Sequence, residues 1–389
     1  MHRLCLILIF IAAFNGVAQE MRIGILRSIK SKSVTLKSFE GNYGVYGDST
    51  FLGRIEEGQS AFTSLSGAKV QLSINGIAKG SFEKILFAQD SSASSMQIVS
   101  TSPKSKTHQY QDNFEISSEQ KRLRIVNLVD MVNYLSGVIE SEGGGGRHLE
   151  YYKVQALMSR TYAFQNIKRH QKEGFYLCDN VHCQAYHNML KRTPTIRTAV
   201  EETNGEVIVD DHNKMLTTYF SANCGGQTCD ASHVWNNSVN YCESILDTFC
   251  VSTKQANWTK YIDRSLWLNY LHKEYGFETT NEELLSYAFN FKQNQRMAFY
   301  IHPSLGIPLR DLRSKFKLKS TYFDVSLEGD KVRLDGHGFG HGVGLCQEGA
   351  MNMAKAGYSY RQIATFYFAE VSIVNYKRQL FFGQTSSEM

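Results

Sequence analysis

Four consecutive glycines, Gly143–Gly146, stand between two stretches with helical spacing. Glycine costs a helix interior roughly 1 kcal/mol relative to alanine, so a run of four ends one helix and separates it from the next. Glu140 and Glu142 lie just before the run, at the end of Tyr134–Glu142. After it, Leu149, Val154, Leu157, Met158, Tyr162 and Phe164 are spaced for a broadly buried helix from Glu150 to about His170. Lys153 and Arg160 are seven apart on that helix and therefore share a face. The pattern places two acids on a glycine-loosened turn beside two cations.

The segment before this point has a different period. Short β-branched and aromatic runs, among them Ser33–Phe39, Ala68–Ile74 and Ser95–Ser100, are separated by Gly, Asn and Asp turns. From Arg122 the character changes to a strand leading into a helix near Met131–Ile139, then the long helix and a short one around Thr195–Glu202. Glu206–Val209 and Met215–Ser221 read as a β-hairpin. Trp258–Phe291 is helical in pattern, and Ile307–Phe316 is a further helix. Thr321–Ser326 and Lys331–Asp335 form a second hairpin, and short helices at Gln347–Lys355 and Tyr360–Phe366 close the domain. The predicted fold is α+β: a β-rich region over 19–118, then a mixed α/β domain over 119–380 with a substrate cleft.

The first 18 residues read as a secretory signal. His2 and Arg3 precede an apolar run, Leu4–Phe14, too short to span a bilayer comfortably, and Gly16-Val17-Ala18 supplies small residues for cleavage after Ala18. The expected location is the periplasm or cell envelope. Of eight cysteines, removal of Cys5 leaves seven, an odd number that cannot pair completely in an oxidising compartment. The full chain is 42% hydrophobic and 20% charged, which supports a sizeable core. A net charge of +5 without a basic tract favours anionic polymers mildly and gives no nucleic-acid tail.

Several constellations carry chemistry. Glu142 is the first choice for a working acid, with Glu140 as the neighbouring charge; the alternative is an acid at a helix N-terminus that only stabilises the macrodipole. Gly336–Gly344 alternates glycine with His337 and His341 and runs on to Gln347, which suggests an extended segment that permits close backbone approach. His341 could transfer a proton or bind substrate, or the segment could be a packing turn. It lacks the Lys-Ser/Thr of a phosphate loop, and nothing calls for an organic cofactor. Tyr219, Ser221 and Asn223 share a strand face by period-two spacing and could hydrogen-bond a sugar. Cys178, His182 and Cys183, with His170 upstream, could close a structural zinc site; a Cys178–Cys183 disulfide is the alternative. Cys242 and Cys250 suit a disulfide, and Cys224 and Cys229 either a second one or two thiols at the site.

Taken in order, Tyr134–Glu142, Lys153–Tyr162, Cys183–Tyr186, Tyr219–Thr228 and Gly338–Ala350 resemble the sporulation stage II protein D/LytB family. The resemblance implies an exported protein acting on peptidoglycan. It implies either a lytic transglycosylase of glycan strands or an enhancer of a cell-wall amidase. The family's catalytic glutamate falls on Glu142, its groove cations on Lys153 and Arg160, its tyrosine on Tyr219 and its histidine on His341. Some members hold zinc near the position of His182-Cys183. Gly143–Gly146 departs from the Met-Pro of many members.

Overall fold

The computed structural model describes residues 20–235 and 237–376; the expected signal segment lies outside them. The chain divides into two compact units, one of residues up to Gly137 plus Arg169–Met189, the other of Val138–Lys168 plus the chain from Leu190.

The first unit is built on two antiparallel sheets. One has seven strands in the order Leu177–Cys178, Glu20–Ile25, Arg122–Asp130, Asn113–Glu119, Lys84–Gln89, Tyr43–Gly47 and Thr50–Ile55, with only the two-residue strand parallel to its neighbour. The other has six: His108–Gln111, Ser95–Ser102, Ser33–Glu40, Ser60–Ser66, Lys69–Ile74 and Ile77–Phe82. Alternate side chains such as Val34, Leu36, Val70, Leu72, Ile85, Phe87, Phe114 and Ile116 are fully buried, as a half-buried antiparallel strand requires. The expected strands at Ser33, Ala68 and Ser95 are all present. The division expected at 118/119 falls inside the hairpin of Asn113–Glu119 with Arg122–Asp130, which pairs residue for residue. Arg122–Asp130 is thus an inner strand of this sheet, its burial on both faces making it read as a new element.

Nine helices occur among the described residues: α1 (Met131–Gly143), α2 (Leu149–Gln165), α3 (Pro194–Glu202), α4 (Ser232–Trp235), α5 (Arg264–Tyr275), α6 (Glu282–Phe289), α7 (Leu309–Phe316), α8 (Gln347–Lys355) and α9 (Tyr360–Tyr367). None is long and apolar enough to cross a membrane. In the second unit α2 is the central element, buried nearly all round from Tyr151 to Ala163, and it packs against α3, α8, α9 and the strand Glu206–Val209. A separate core gathers Trp258, Trp267, Leu271, Tyr300, Leu312, Phe323 and Leu334 around a three-stranded sheet of Asn257–Asp263, Lys331–His337 and Tyr322–Glu328.

Three elements differ from the sequence expectation. Glu206–Val209 pairs with Ser372–Asn375 and meets Met215 only through one isolated bridge. Its true partner is over 160 residues downstream, where no local pattern could point. Asn257–Asp263 is a strand, with Trp258 and Ile262 buried at even spacing and exposed residues between them. The second long helix stops at Gln165, where the Asn166 side chain folds back onto the Tyr162 carbonyl.

Candidate functional site

α1 runs through Ile139–Gly143, so Glu140 and Glu142 lie in its last turn and not on a free loop. The two acids have different surroundings. The Glu140 carboxylate accepts from the backbone N–H of Lys191 and of Arg192, at 2.9 and 3.0 Å, and so tethers that loop. Glu142 is partly buried, and its charge acts on the fully buried Tyr151 hydroxyl, which burial pushes far above its ordinary pKa. The glycine run is pinned rather than loose. The Tyr152 hydroxyl donates to the Gly144 carbonyl and accepts from Arg147 N–H, both at 3.0 Å. Gly144 and Gly146 take left-handed φ of +64° and +74°, which the glycines permit without strain.

Lys153 and Arg160 do share a face, but that face is packed. Lys153 Nζ pairs with Glu150 at 2.7 Å and Glu202 at 2.8 Å, and lies over the Tyr360 ring. Burial works against its charge, yet these carboxylates hold its pKa above the ordinary lysine value. Arg160 is 1% exposed. Its Nη1 donates to the Thr203 and Glu206 carbonyls at 2.8 and 3.2 Å, and its Nη2 to the Val200 carbonyl at 3.0 Å. The expected substrate-binding role of Arg160 is therefore corrected: a guanidinium fully enclosed at the end of α3 is a helix cap, not a groove ligand.

The two glycine-bearing segments explain each other. Phe220–Ser221 runs parallel to Leu345–Cys346, with Ser221 opposite Cys346, and Asn223 bridges Phe339. At Gly340 (φ +118°) a Cβ would come 2.7 Å from the Ser221 Cβ; at Gly344 (φ +68°) it would come 2.4 Å from the Tyr219 carbonyl oxygen. Side chains there would force the strands apart. Close approach thus sets Tyr219, Ser221, His341 and Gln347 on adjoining backbone. Asn223 is a second correction. It is fully buried, its Nδ2 donates to Cys250, Thr253 and Glu348, and its Oδ1 accepts from Gly225 N–H. Its polar capacity is consumed by loop bracing.

Tyr219 stacks on Trp235, with ring centroids 4.4 Å apart and planes 23° apart, and His341 meets the same indole at 5.2 Å. Trp235, 40% exposed, completes an aromatic platform that the sequence reading missed. It stands alone in a polar stretch without periodicity, and only its type in such a setting could have flagged it. Burial, and then the charges of Arg313 and Arg296, lower the His341 pKa to about 4. Its Nδ1 accepts from Val343 N–H at 3.0 Å, so at neutral pH it presents an uncharged ring. Ser221 Oγ, Gln347 Nε2 and the Tyr151 hydroxyl are buried without a protein partner. Buried polar groups in that state are costly unless something bonds to them.

In the first unit His170, Cys178, His182 and Cys183 place four ligand atoms within 4.8 Å of one another. Cys183 Sγ is 3.4 Å from His170 Nε2, and both sulfurs lie 3.7 Å from His182 Nδ1. His170 Nδ1 is bonded to Glu173, which leaves Nε2 directed at the cluster, the usual orientation device for a ligating imidazole. The hydrogen bond from Cys183, opposed by burial and aided by His182, pulls the Cys178 thiol down to about 4. Two sulfurs and two ring nitrogens in this arrangement suit a closed tetrahedral site. Cys178 and Cys183 are free thiols, as are Cys242 and Cys250, expected as a bridge, and Cys224 and Cys229.

Residues 119–209 match the family model described as Stage II sporulation protein. This chain carries a domain of the SpoIID family. Among its relatives, an uncharacterized protein of Brachyspira hyodysenteriae is 28% identical over 269 residues, 65% of this chain and 69% of that one. The amidase enhancer of Bacillus subtilis is 27% identical over 62% of this chain, which spans only 40% of the enhancer. Stage II sporulation protein D of B. subtilis is 24% identical over 71% of this chain and 84% of its own length. The SpoIID match contains Glu142 and the His170–Cys183 cluster, and it ends before Tyr219 and His341.

Proposed function

We propose that this chain is an exported cell-wall protein that cleaves peptidoglycan glycan strands as a lytic transglycosylase, with Glu142 as its acid and base. The observations that carry the reading are the Tyr219–Trp235–His341 platform and, on the adjoining paired segments, buried polar atoms of Ser221 and Gln347 that lack protein partners. An apolar ring face for a sugar and hydrogen-bond donors beside it are what a saccharide site requires. Glu140 and Glu348 do not compete for the acid role. Glu140 holds two backbone N–H groups, and Glu348 is bonded to Asn223, Thr253 and Gln255.

Hydrolysis of a glycosidic bond uses two carboxyl groups. A transglycosylase manages with one. The Glu142 carboxyl gives its proton to the glycosidic oxygen as the C1–O bond breaks. The resulting carboxylate takes the proton of the muramic acid C6 hydroxyl as O6 bonds to C1, so the product is a 1,6-anhydro sugar and the acid is restored.

The mass of the products from purified glycan strands tests this. Anhydro ends are expected; ends one water heavier would mean hydrolysis, and the absence of any product would remove the enzymatic reading. The relative named amidase enhancer favours a second reading, in which the chain binds the wall and activates an amidase without cutting glycan itself. Trp235→Ala should raise KM about fivefold, corresponding to loss of ~1 kcal/mol of stacking, with kcat little changed. Substrate titrations on the variant check it.

The His170, Cys178, His182 and Cys183 cluster is proposed to hold a structural zinc ion. Stripping it with a chelator should lower the Tm by roughly 5 °C or more, since metal binding free energy is folding free energy. Cys183→Ser should lose one zinc per chain by elemental analysis; unchanged zinc content would refute the assignment.

A further inference from the structure

We propose that Cys224, Asp247, Cys250 and Cys346 form a second metal site, holding a structural zinc ion that clamps the strands bearing Tyr219 and Ser221 to the start of α8. All four residues are fully buried, and their ligand atoms lie within 4.8 Å of one another. Cys224 Sγ is 3.4 Å from Cys250 Sγ and 3.2 Å from Asp247 Oδ2. Three segments far apart in sequence supply them: the strand end after Asn223, the loop at Asp247–Cys250, and the residue that caps α8.

The surroundings are built for anionic ligands. Cys250 Sγ accepts from Gly226 N–H at 3.3 Å, and Cys346 Sγ from the N–H groups of Cys224 and Gly349 at 3.3 and 3.4 Å. The Asp247 carboxylate is fixed at both oxygens, by Phe249 N–H on Oδ1 and the Tyr367 hydroxyl on Oδ2, each at 2.9 Å. Gly349 leaves the space this needs, because a Cβ there would stand 2.5 Å from Asp247 Oδ2. Outer contacts that orient the ligands are the usual companions of a metal site.

A disulfide explains less. Cys224 and Cys250 would have to close from 3.4 Å to about 2.05 Å. That bridge would leave a third thiol and a carboxylate converging on neutral sulfur in a buried space. Ligand sulfurs around a tetrahedral zinc with bonds of about 2.3 Å lie ~3.8 Å apart, close to the spacing found. Three thiolates and one carboxylate, all enclosed, select a borderline-soft divalent ion in a closed site. Cys346 stands opposite Ser221 in the parallel pair, so the ion would lock the register on which Tyr219, Ser221 and Gln347 depend.

The test is the zinc content of the full-length protein, purified without added metal, as wild type, Cys250→Ser and Cys183→Ser. The difference between wild type and Cys250→Ser is expected to be one zinc per chain, and Cys183→Ser should retain this zinc. Equal zinc in wild type and Cys250→Ser would overturn the proposal. Should Cys250→Ser fail to fold, the wild type decides. Alkylation of the native protein should spare Cys224, Cys250 and Cys346 until a chelator is added, after which all three react. A Cys224–Cys250 disulfide in a non-reducing peptide map, or alkylation indifferent to the chelator, would overturn it. Glycan cleavage does not enter any of these readouts, so failure of the transglycosylase reading leaves the result intact.

Discussion

Glu142→Gln should lower the release of anhydro-ended sugars from purified glycan by roughly 10²–10⁴-fold, the usual contribution of a positioned general acid and base. The amide keeps the size and most hydrogen bonds of the acid, but it cannot give or accept a proton at the glycosidic oxygen. The Tm should change little, because the isosteric amide fits the partly buried position in the last turn of α1. Glu140→Gln is the contrasting control. Its carboxylate receives two backbone N–H groups, and an amide offers only one acceptor atom, so that change should cost stability of about 1–2 kcal/mol and leave the proton chemistry in place. Equal anhydro-sugar release by wild type and Glu142→Gln would sink the assignment. If neither released product and both stimulated an amidase equally, the activator reading would take its place.

What the sequence could reveal follows from how local each signal is. The strands of the first unit were legible because Val34 and Leu36, or Val70 and Leu72, alternate with exposed residues over single runs. The strand Glu206–Val209 was legible, but its partner was not, since Ser372–Asn375 joins it only through the tertiary fold. Asn257–Asp263 carried a period-two signal, Trp258 and Ile262, that the helical pattern just after it obscured. Tyr219 and His341 stood out in the sequence through their glycine-rich settings. The same glycines prove to be the reason the two strands can touch. Asn223 was placed with Tyr219 and Ser221 by alternation alone, and alternation cannot say whether an amide is spent on the protein's own loops. Cys224, Cys250 and Cys346 came together only in space, so reading neighbours as disulfide partners paired the wrong thiols.

Arg160 was misread for an instructive reason: a cation on a helix seven residues from another looked like a ligand, although the residues on either side of it, Ser159 and Thr161, are buried too. A helix buried on nearly every side leaves few side chains for substrate. Arg160→Ala should therefore destabilise the protein by about 3–5 kcal/mol. It removes the positive charge at the C-terminal end of α3 and takes a charged donor from each of the carbonyls of Val200, Thr203 and Glu206, which now accept from its two terminal nitrogens. Burial lowers the Arg160 pKa to about 10, with Glu206 opposing the shift, so the group is still charged at neutral pH and the lost bonds are charge-assisted ones. Lysine should rescue only part of the loss, because a single ammonium cannot serve acceptors spread around a planar fork. Thermal melts should place Arg160→Ala roughly 10 °C below wild type, with Arg160→Lys between them. KM for glycan, measured below the melting range, should stay near the wild-type value. A variant that melts with wild type but binds glycan poorly would return Arg160 to the substrate, and would mean that the end of α3 can satisfy its carbonyls without a guanidinium.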